Sequence, residues 1–420
     1  MIPGSAVYHV VEAMAPLCTA AVLGYASVRW LKAFSDEQCA GINHFVALYA
    51  VPVLIFHVVY TNDPYAMNGR LIAADTLQKA AIILALMAWA ICWSRRRRRR
   101  GGQPETTTSP VKWVVTNFST ATLTNTLIIG VPLLNGMYGA MSRGLVAQIV
   151  VVQFCFWYNV VIFLYQYMAA QDAGSAKISP ESRVAEATAV EDAVRDDEDD
   201  GGDVAGERSR RDDDVALDIE ITETEVSMAR GNIAGEMTIV SKEAAEVTVV
   251  PEAAAEAPSV LRVIGMAGKK LLKTPNTYAC FLGLVWSLFS FKFGIKMPKI
   301  VDDSLLTIYT TATGLSMFAS GTFIARQPRF VPCGYTIASF SMVLKFLVGP
   351  VVMLLTSLAV GLRGTILHIA VVQSALPLAV TSFVYAEEYK VHPKIMSTGV
   401  IVGMFISLPV TIAYYILLAL

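Results

Sequence analysis

The sequence predicts an all-α polytopic membrane protein of ten transmembrane helices in an inverted five-plus-five repeat, with helices four and nine broken. Three observations carry that expectation. Of 420 residues, 55% are hydrophobic and only 16% charged, with a mean hydropathy of +0.53; soluble domains run near about 25% charged. The formal net charge of -1 hides two populations: Ala169 to Val260 carries 24 acids and 8 bases, and the remainder carries 10 acids and 25 bases. Apolar stretches of about 20 residues, the length that crosses hydrocarbon, recur five times before that acidic insert and five times after it. This pattern excludes a soluble single domain, a disulfide-built secreted module and a mainly disordered chain.

In order, the first five stretches are Tyr8–Trp30, Ile42–Thr61, Leu71–Trp93, Trp113–Leu134 and Gly144–Met168. The second five are Thr277–Phe293, Ser304–Ala325, Cys333–Ala359, Thr365–Tyr385 and Ile395–Leu420. No basic segment precedes Tyr8, so the first span is expected to be retained rather than cleaved. The domain reading is a first repeat over 1–168, an acidic loop over 169–260, and an interfacial helix with the second repeat over 261–420. Thirteen Lys and Arg residues fall on one side of the membrane: Arg29, Lys32, Arg95 to Arg100, Lys112, Arg326, Arg329, Lys390 and Lys394. Six fall opposite: Arg70, Arg143, Lys292, Lys296, Lys299 and Arg363. The side with thirteen is therefore expected to be cytoplasmic, with both termini outside and the loop inside. Five spans per half then require the second half to enter upside down, an architecture that recurs in secondary transporters.

The insert contains no Trp, Tyr or Phe, and its acidic blocks at 196–200 and 212–214 repel themselves, so disorder is expected. Ser209, Thr222 and Ser227 are generic phosphorylation candidates, which makes protein kinases possible partners. Val260–Lys273 alternates apolar and basic residues at helical spacing and suits a helix lying among lipid headgroups. The six consecutive arginines after the third span read as a topology anchor on anionic lipid, not as a nucleic-acid patch. The six cysteines stand singly and the five histidines lack ligand spacing, so no metal site or disulfide framework is expected. With no nucleotide-binding loop, dinucleotide fingerprint or nucleophile elbow, neither an enzyme, a cofactor nor an ATP-driven pump has support.

Charges inside spans are costly, about 2.5–3.5 kcal/mol each on insertion scales, so each is a candidate site. Glu12 lies near the end of its span and suits the interface. Asp75 and Lys79 are four apart, share a helical face and neutralise each other, either as a structural pair or as support for a polar site. Lys345 is the matching residue of the second half. Asn117 to Pro132 in the fourth span holds four threonines, a serine and two asparagines in 16 residues. The ninth span, from Gln373 to Ser382, is again polar with Pro377 at its middle, where proline removes a donor and breaks the helix. Two helices broken at mid-membrane expose the positive ends of their second halves, suited to a carboxylate. The alternative is that these Ser and Thr residues bond within their own helices and glue neighbours together.

These residues resemble the plant PIN-FORMED family of auxin efflux carriers over both membrane halves. The first half carries Tyr8-His-Val-Val-Glu-Ala-Met-Ala-Pro16, Gly41-Ile-Asn-His-Phe-Val-Ala-Leu48, Thr61-Asn-Asp-Pro-Tyr-Ala-Met-Asn68 and Ile72-Ala-Ala-Asp-Thr-Leu-Gln-Lys79. The second carries Pro275-Asn-Thr-Tyr278, Ser374-Ala-Leu-Pro377, Glu388-Tyr-Lys-Val-His-Pro393 and Ser397-Thr-Gly-Val400. The resemblance implies a homodimer with an NhaA-like, elevator-type fold, spans one, two, six and seven forming a scaffold. It implies the indole-3-acetate anion, or a related aromatic carboxylate, as substrate beside the helix crossing, moved without a recognised coupling ion. Asn125 falls on the family's crossover asparagine; Val51, Ile55, Ile128, Pro377 and Val380 fall on other pocket positions. Gln153 and Tyr158 fall on polar positions of the fifth span, and Asp75 and Lys79 on a supporting pair. Thr124 and Ser382 stand where the family usually has proline, and Ile55 where it has serine. The insert lacks the Thr-Pro-Arg-x-Ser motifs of long-loop members. The plasma membrane is expected in preference to the endoplasmic reticulum. Two other readings stay open: a sodium- or proton-coupled organic-anion symporter, and a scaffold or receptor acting through the acidic loop.

Overall fold

The computed structural model describes residues 4–99, 110–176, 265, 268, 269 and 274–419. The acidic insert, its expected disorder and its phosphorylation candidates lie outside the described residues, as does Val260–Lys273 apart from three helical positions. Apart from residues 171–176, the geometry below belongs to one compact unit formed by residues 1–170 and 260–420.

The first half comprises α1 (Gly4–Arg29), α2 (Asp36–Tyr60), α3 (Gly69–Arg99), α4 (Pro110–Thr122), α5 (Thr126–Tyr138) and α6, which begins at Met141 and ends at Ala176. The second comprises α7 (Pro275–Phe293), α8 (Lys299–Arg326), α9 (Tyr335–Ala359), α10 (Gly364–Ser374), α11 (Val380–Glu388) and α12 (Pro393–Ala419). Each apolar stretch lies on one helix or, for the fourth and ninth, on a consecutive pair. Among the described residues six helices are long and apolar enough to cross a membrane: α1, α2, α3, α6, α9 and α12.

Helix ends differ from the hydropathy pattern where polar chemistry extends them. The α2 helix starts at Asp36 rather than Ile42 because Ser35 and Gln38 form a capping box, Gln38 N donating to Ser35 Oγ at 3.2 Å. Asp36 and Glu37 then occupy its positive first turn. The α8 helix starts at Lys299, so Asp302 is helical, and the Tyr60 hydroxyl donates to its carboxylate.

Among the described residues four helices contain one wide, π-type turn, at Val46–Ala50, Thr126–Gly130, Gln153–Trp157 and Leu344–Val348. Three of these are followed two residues later by proline: Pro52, Pro132 and Pro350. Proline offers no N–H and crowds the carbonyl four residues back, so a widened turn relieves the clash. The turn at Gln153 has no such proline, and its first residue reaches the crossing described below.

The surface reverses the soluble pattern. Trp30, Trp93, Phe289 and Phe405 are each more than half exposed, whereas Thr116, Ser119, Thr322 and Gln373 are buried. Exposed large apolar area on this scale is matched to lipid, not water. Close helix contact comes from small residues: a Cβ on Gly24 would sit 2.1 Å from the Phe318 carbonyl oxygen, and one on Gly321 1.9 Å from that of Ala21. Only glycine lets α1 and α8 approach so closely.

Candidate functional site

The chain leaves α4 at Leu123 and begins α5 at Thr126, while α10 ends at Ser374 and α11 begins at Val380. The two interruptions meet. Asn125 N–H donates to the Pro377 carbonyl at 2.8 Å, and Ala379 N–H donates to that of Leu123 at 3.1 Å. Thr124 and Leu378 thereby form an isolated antiparallel bridge. Each broken helix satisfies backbone groups of the other, which is what buried polar backbone requires.

Side chains from two further positions lock this crossing. Gln153 Nε2 donates to the Thr124 carbonyl at 2.8 Å, and its Oε1 accepts from the Thr124 and Thr126 hydroxyls at 3.3 and 3.5 Å. Gln373 Nε2 donates to the same two hydroxyls at 3.0 and 3.1 Å. Thr124, Thr126, Gln153 and Gln373 are at most 2% exposed, so these bonds replace water that is absent. The wide turn at Gln153–Trp157 carries Gln153 as its first residue.

A cavity of about 390 Å³ lies against the crossing. Val51, Asn125, Ile128, Gln153, Tyr158 and Val380 all line it. Asn125 has neither helical nor extended backbone (φ -79°, ψ 60°), is 8% exposed, and its side-chain amide makes no hydrogen bond to a described residue. That amide is available to a ligand. Thr126 and Thr381, at the starts of α5 and α11, also line the cavity, so the positive ends of both second halves face it. The lining is otherwise largely apolar and aromatic, including Phe154, Phe323 and Phe383.

Two expected residues stand apart from the wall. Ile55, one turn beyond Val51, is 0% exposed and packs in the hydrophobic core. Pro377 is buried and contributes its carbonyl to Asn125. Asp75 and Lys79 form an ion pair, each side chain 1% exposed, and the Lys79 ammonium lies 6.0 Å from the Trp157 ring centroid. Gln78, beside them, donates to the Gly349 carbonyl at 2.9 Å, tying α3 to α9. Lys345, in the wide turn of α9, is 1% exposed with no hydrogen-bond partner among the described residues.

Sequence reasoning missed three features. Phe323 and Phe383 both line the cavity and contact each other in a tilted pair, ring centroids 4.7 Å apart at 50°. Cys155 and Cys280, expected to stand singly, have their sulfurs 2.7 Å apart as free thiols. Arg326, expected as a topology anchor, lines the cavity. Residue types at these positions carry no signal of their inward direction.

The family profile described as membrane transport protein matches residues 9–415. A rice (Oryza sativa subsp. japonica) protein named probable auxin efflux carrier component 9 is 65% identical over the whole of both chains. The chain belongs to the PIN-FORMED auxin efflux carrier family. Auxin efflux carrier component 8 of Arabidopsis thaliana is 36% identical over 98% of each chain. Probable auxin efflux carrier component 1b of rice is 34% identical over 98% of this chain and 99% of its own. Membership makes the chain an integral membrane transporter, not an enzyme, and these relatives favour neither the symporter nor the receptor reading.

Proposed function

We propose that this protein exports the indole-3-acetate anion, or a closely related aromatic carboxylate, through the cavity at the helix crossing. The observation that carries the reading is Asn125: an unpaired amide at the meeting point of two positive helix starts, beside an aromatic-lined cavity. The carboxylate meets the Asn125 amide and the starts of α5 and α11, and the ring packs among Val51, Ile128 and Val380. Tyr158 and Gln153 border the polar end, and Ile55 and Pro377 back the wall. Such fixed dipoles hold an anion without a second full charge. The Asp75–Lys79 pair is a support that stays neutral as a unit.

We read the architecture as ten spans in an inverted repeat. The antiparallel bridge supports it, because it joins the fourth segment of one half to the fourth of the other running oppositely. Helix packing supports an elevator grouping: α1 packs on α8 and α2 on α7, while α3 packs on α4 and α9. The cavity draws its lining from both groups. A dimeric scaffold, the repeat boundaries 1–168 and 261–420, and kinase control through the 169–260 loop complete the reading. With the Lys- and Arg-rich side in the cytosol of a plasma membrane, an inside-negative potential drives anion export by about 2.3 kcal/mol per charge per 100 mV.

Efflux of labelled indole-3-acetate from cells expressing the chain tests this, with Asn125→Ala as the site control. The parent exports the label, and the variant, at equal membrane abundance, exports at least about tenfold less, a loss of one charge-assisted hydrogen bond. Equal efflux by both removes Asn125 from the site. No efflux by the parent removes the substrate.

A further inference from the structure

The Lys and Arg bias assigns Arg326 to the helix-end anchors, whose charges meet lipid headgroups. Its setting is different. Arg326 is the last residue of α8 and lines the cavity together with Asn43 of α2 and Asn276, the second residue of α7. The guanidinium Nη1 donates to the Asp36 carbonyl at the start of α2, a long contact of 3.4 Å. Arg326 and Asn276 thus stand at the ends of their helices and Asn43 two turns into α2, with the end of α8 tied to the start of α2. This is a mouth, not the crossing.

The hydrogen-bonding at this mouth is incomplete. Arg326 Nε is buried and finds no acceptor among the described residues, and Asn276 Oδ1 is buried without a partner as well. Among the described residues no carboxylate forms an ion pair with Arg326. A guanidinium presents five donors in a planar fork, matches a carboxylate two bonds at a time, and cannot shed its proton. A permanent cation that lines a cavity, with one of its donors buried and unmatched, calls for an anion.

We propose that Arg326 is a second carboxylate-binding group, which captures the organic anion at the cavity mouth before the anion reaches Asn125. The proposal rests on the reading that the cargo is an anion travelling through this cavity. One turn back along α8, Phe323 packs against Phe383 in a tilted pair, and both line the wall. The aromatic body of the ligand therefore has an apolar surface directly behind the guanidinium. Ser316, which also lines the cavity, lies ten residues before Arg326 on the same helix, about 15 Å at helical rise. The α8 residues that line the cavity run from Ser316 to Arg326, so Arg326 stands at one end of that row, and Arg326 and Asn125 are occupied in succession. Arg326 raises the local concentration of anion and sets capture, while Asn125 holds the anion that moves.

The test uses full-length protein in liposomes, with indole-3-acetate as the probe presented to the α8-end face. Initial rates are measured against concentration at two ionic strengths for the parent, Arg326→Gln and Arg326→Lys. Capture at the mouth predicts that R326Q raises KM about tenfold at low salt, changes kcat less than about twofold, and flattens the salt dependence. R326K, which keeps the charge and loses the fork, falls between. Arg326→Met, which keeps the apolar stem, replaces R326Q if that variant does not reach the bilayer. An unchanged KM and salt response, or a fall in kcat at constant KM, overturns the proposal. Calorimetric binding of indole-3-acetate to the detergent-solubilised parent and R326Q separates the two readings. Arg326-dependent binding without flux keeps the site and overturns the carrier. Flux and binding both indifferent to Arg326 keep the carrier and overturn the site. Absence of both in the parent overturns both.

Discussion

Between α10 and α11 the chain breaks around Pro377, whereas between α4 and α5 it breaks at Thr124 and Asn125, where no proline stands. The second break is written into the backbone: Pro377 has no N–H to give a helix, and its neighbours Leu376 and Leu378 are apolar and fully packed. The first break is held from outside. Gln153 and Gln373 bond the Thr124 and Thr126 hydroxyls, Gln153 also takes the Thr124 carbonyl, and Pro377 accepts the Asn125 N–H. A helix interrupted by a covalent constraint keeps its break alone; one interrupted by hydrogen bonds keeps it only while its partners stay. The first break therefore depends on the second, since two of its four anchors come from the α10–α11 segment.

That asymmetry is open to attack at each anchor. The largest effect is expected from Gln153→Leu, which leaves the buried Thr124 carbonyl without its donor. Such an orphan costs about 1–3 kcal/mol, visible as a lower melting temperature in detergent and a collapse of indole-3-acetate flux. A smaller effect is expected from Pro377→Ala, because the carbonyl that receives Asn125 survives and the bridge still holds both strands. The loss then comes mainly from a freer unfolded chain, about 0.4–1 kcal/mol; a loss exceeding that of Gln153→Leu would reverse the comparison. The smallest is expected from Thr124→Pro, which exchanges hydroxyl bonds for a covalent break. Stability should move by no more than about 1 kcal/mol, because Thr126 still bonds both glutamines and a stiffened residue offsets the lost hydroxyl bonds, while the KM shifts as the polar end of the cavity is rearranged. A large destabilisation there would mean that the hydroxyl network, not the interruption, is what the fold needs.

Much of the fold was legible in residue order. Ten apolar stretches became helices because length and hydropathy act locally, and the polar clusters of the fourth and ninth spans marked the breaks because a lipid-facing helix cannot carry them. Asp75 and Lys79 were legible as a pair because four residues make one helical turn. Of the site, Val51, Asn125, Ile128, Gln153, Tyr158 and Val380 lie on one cavity, and the polar crossing was read from Thr, Asn and Pro alone. Ile55, assigned to the pocket through resemblance, packs instead into the core one turn away. Arg326 could not be separated from twelve similar cations, since a helix-end arginine reads the same whether it faces headgroups or a cavity. The contact between Cys155 and Cys280 joins residues 125 positions apart, beyond any local pattern.

By itself, then, the sequence determined which segments are apolar enough to leave water and which polar residues must find partners once they have. Both follow from transfer free energies that belong to each residue and its helical neighbours. Only the tertiary structure decided which partners those are: that Gln153 of α6 and Gln373 of α10 converge on Thr124, and that Arg326 turns inward. These outcomes depend on how distant helices pack, a property of the whole chain that no local spacing encodes.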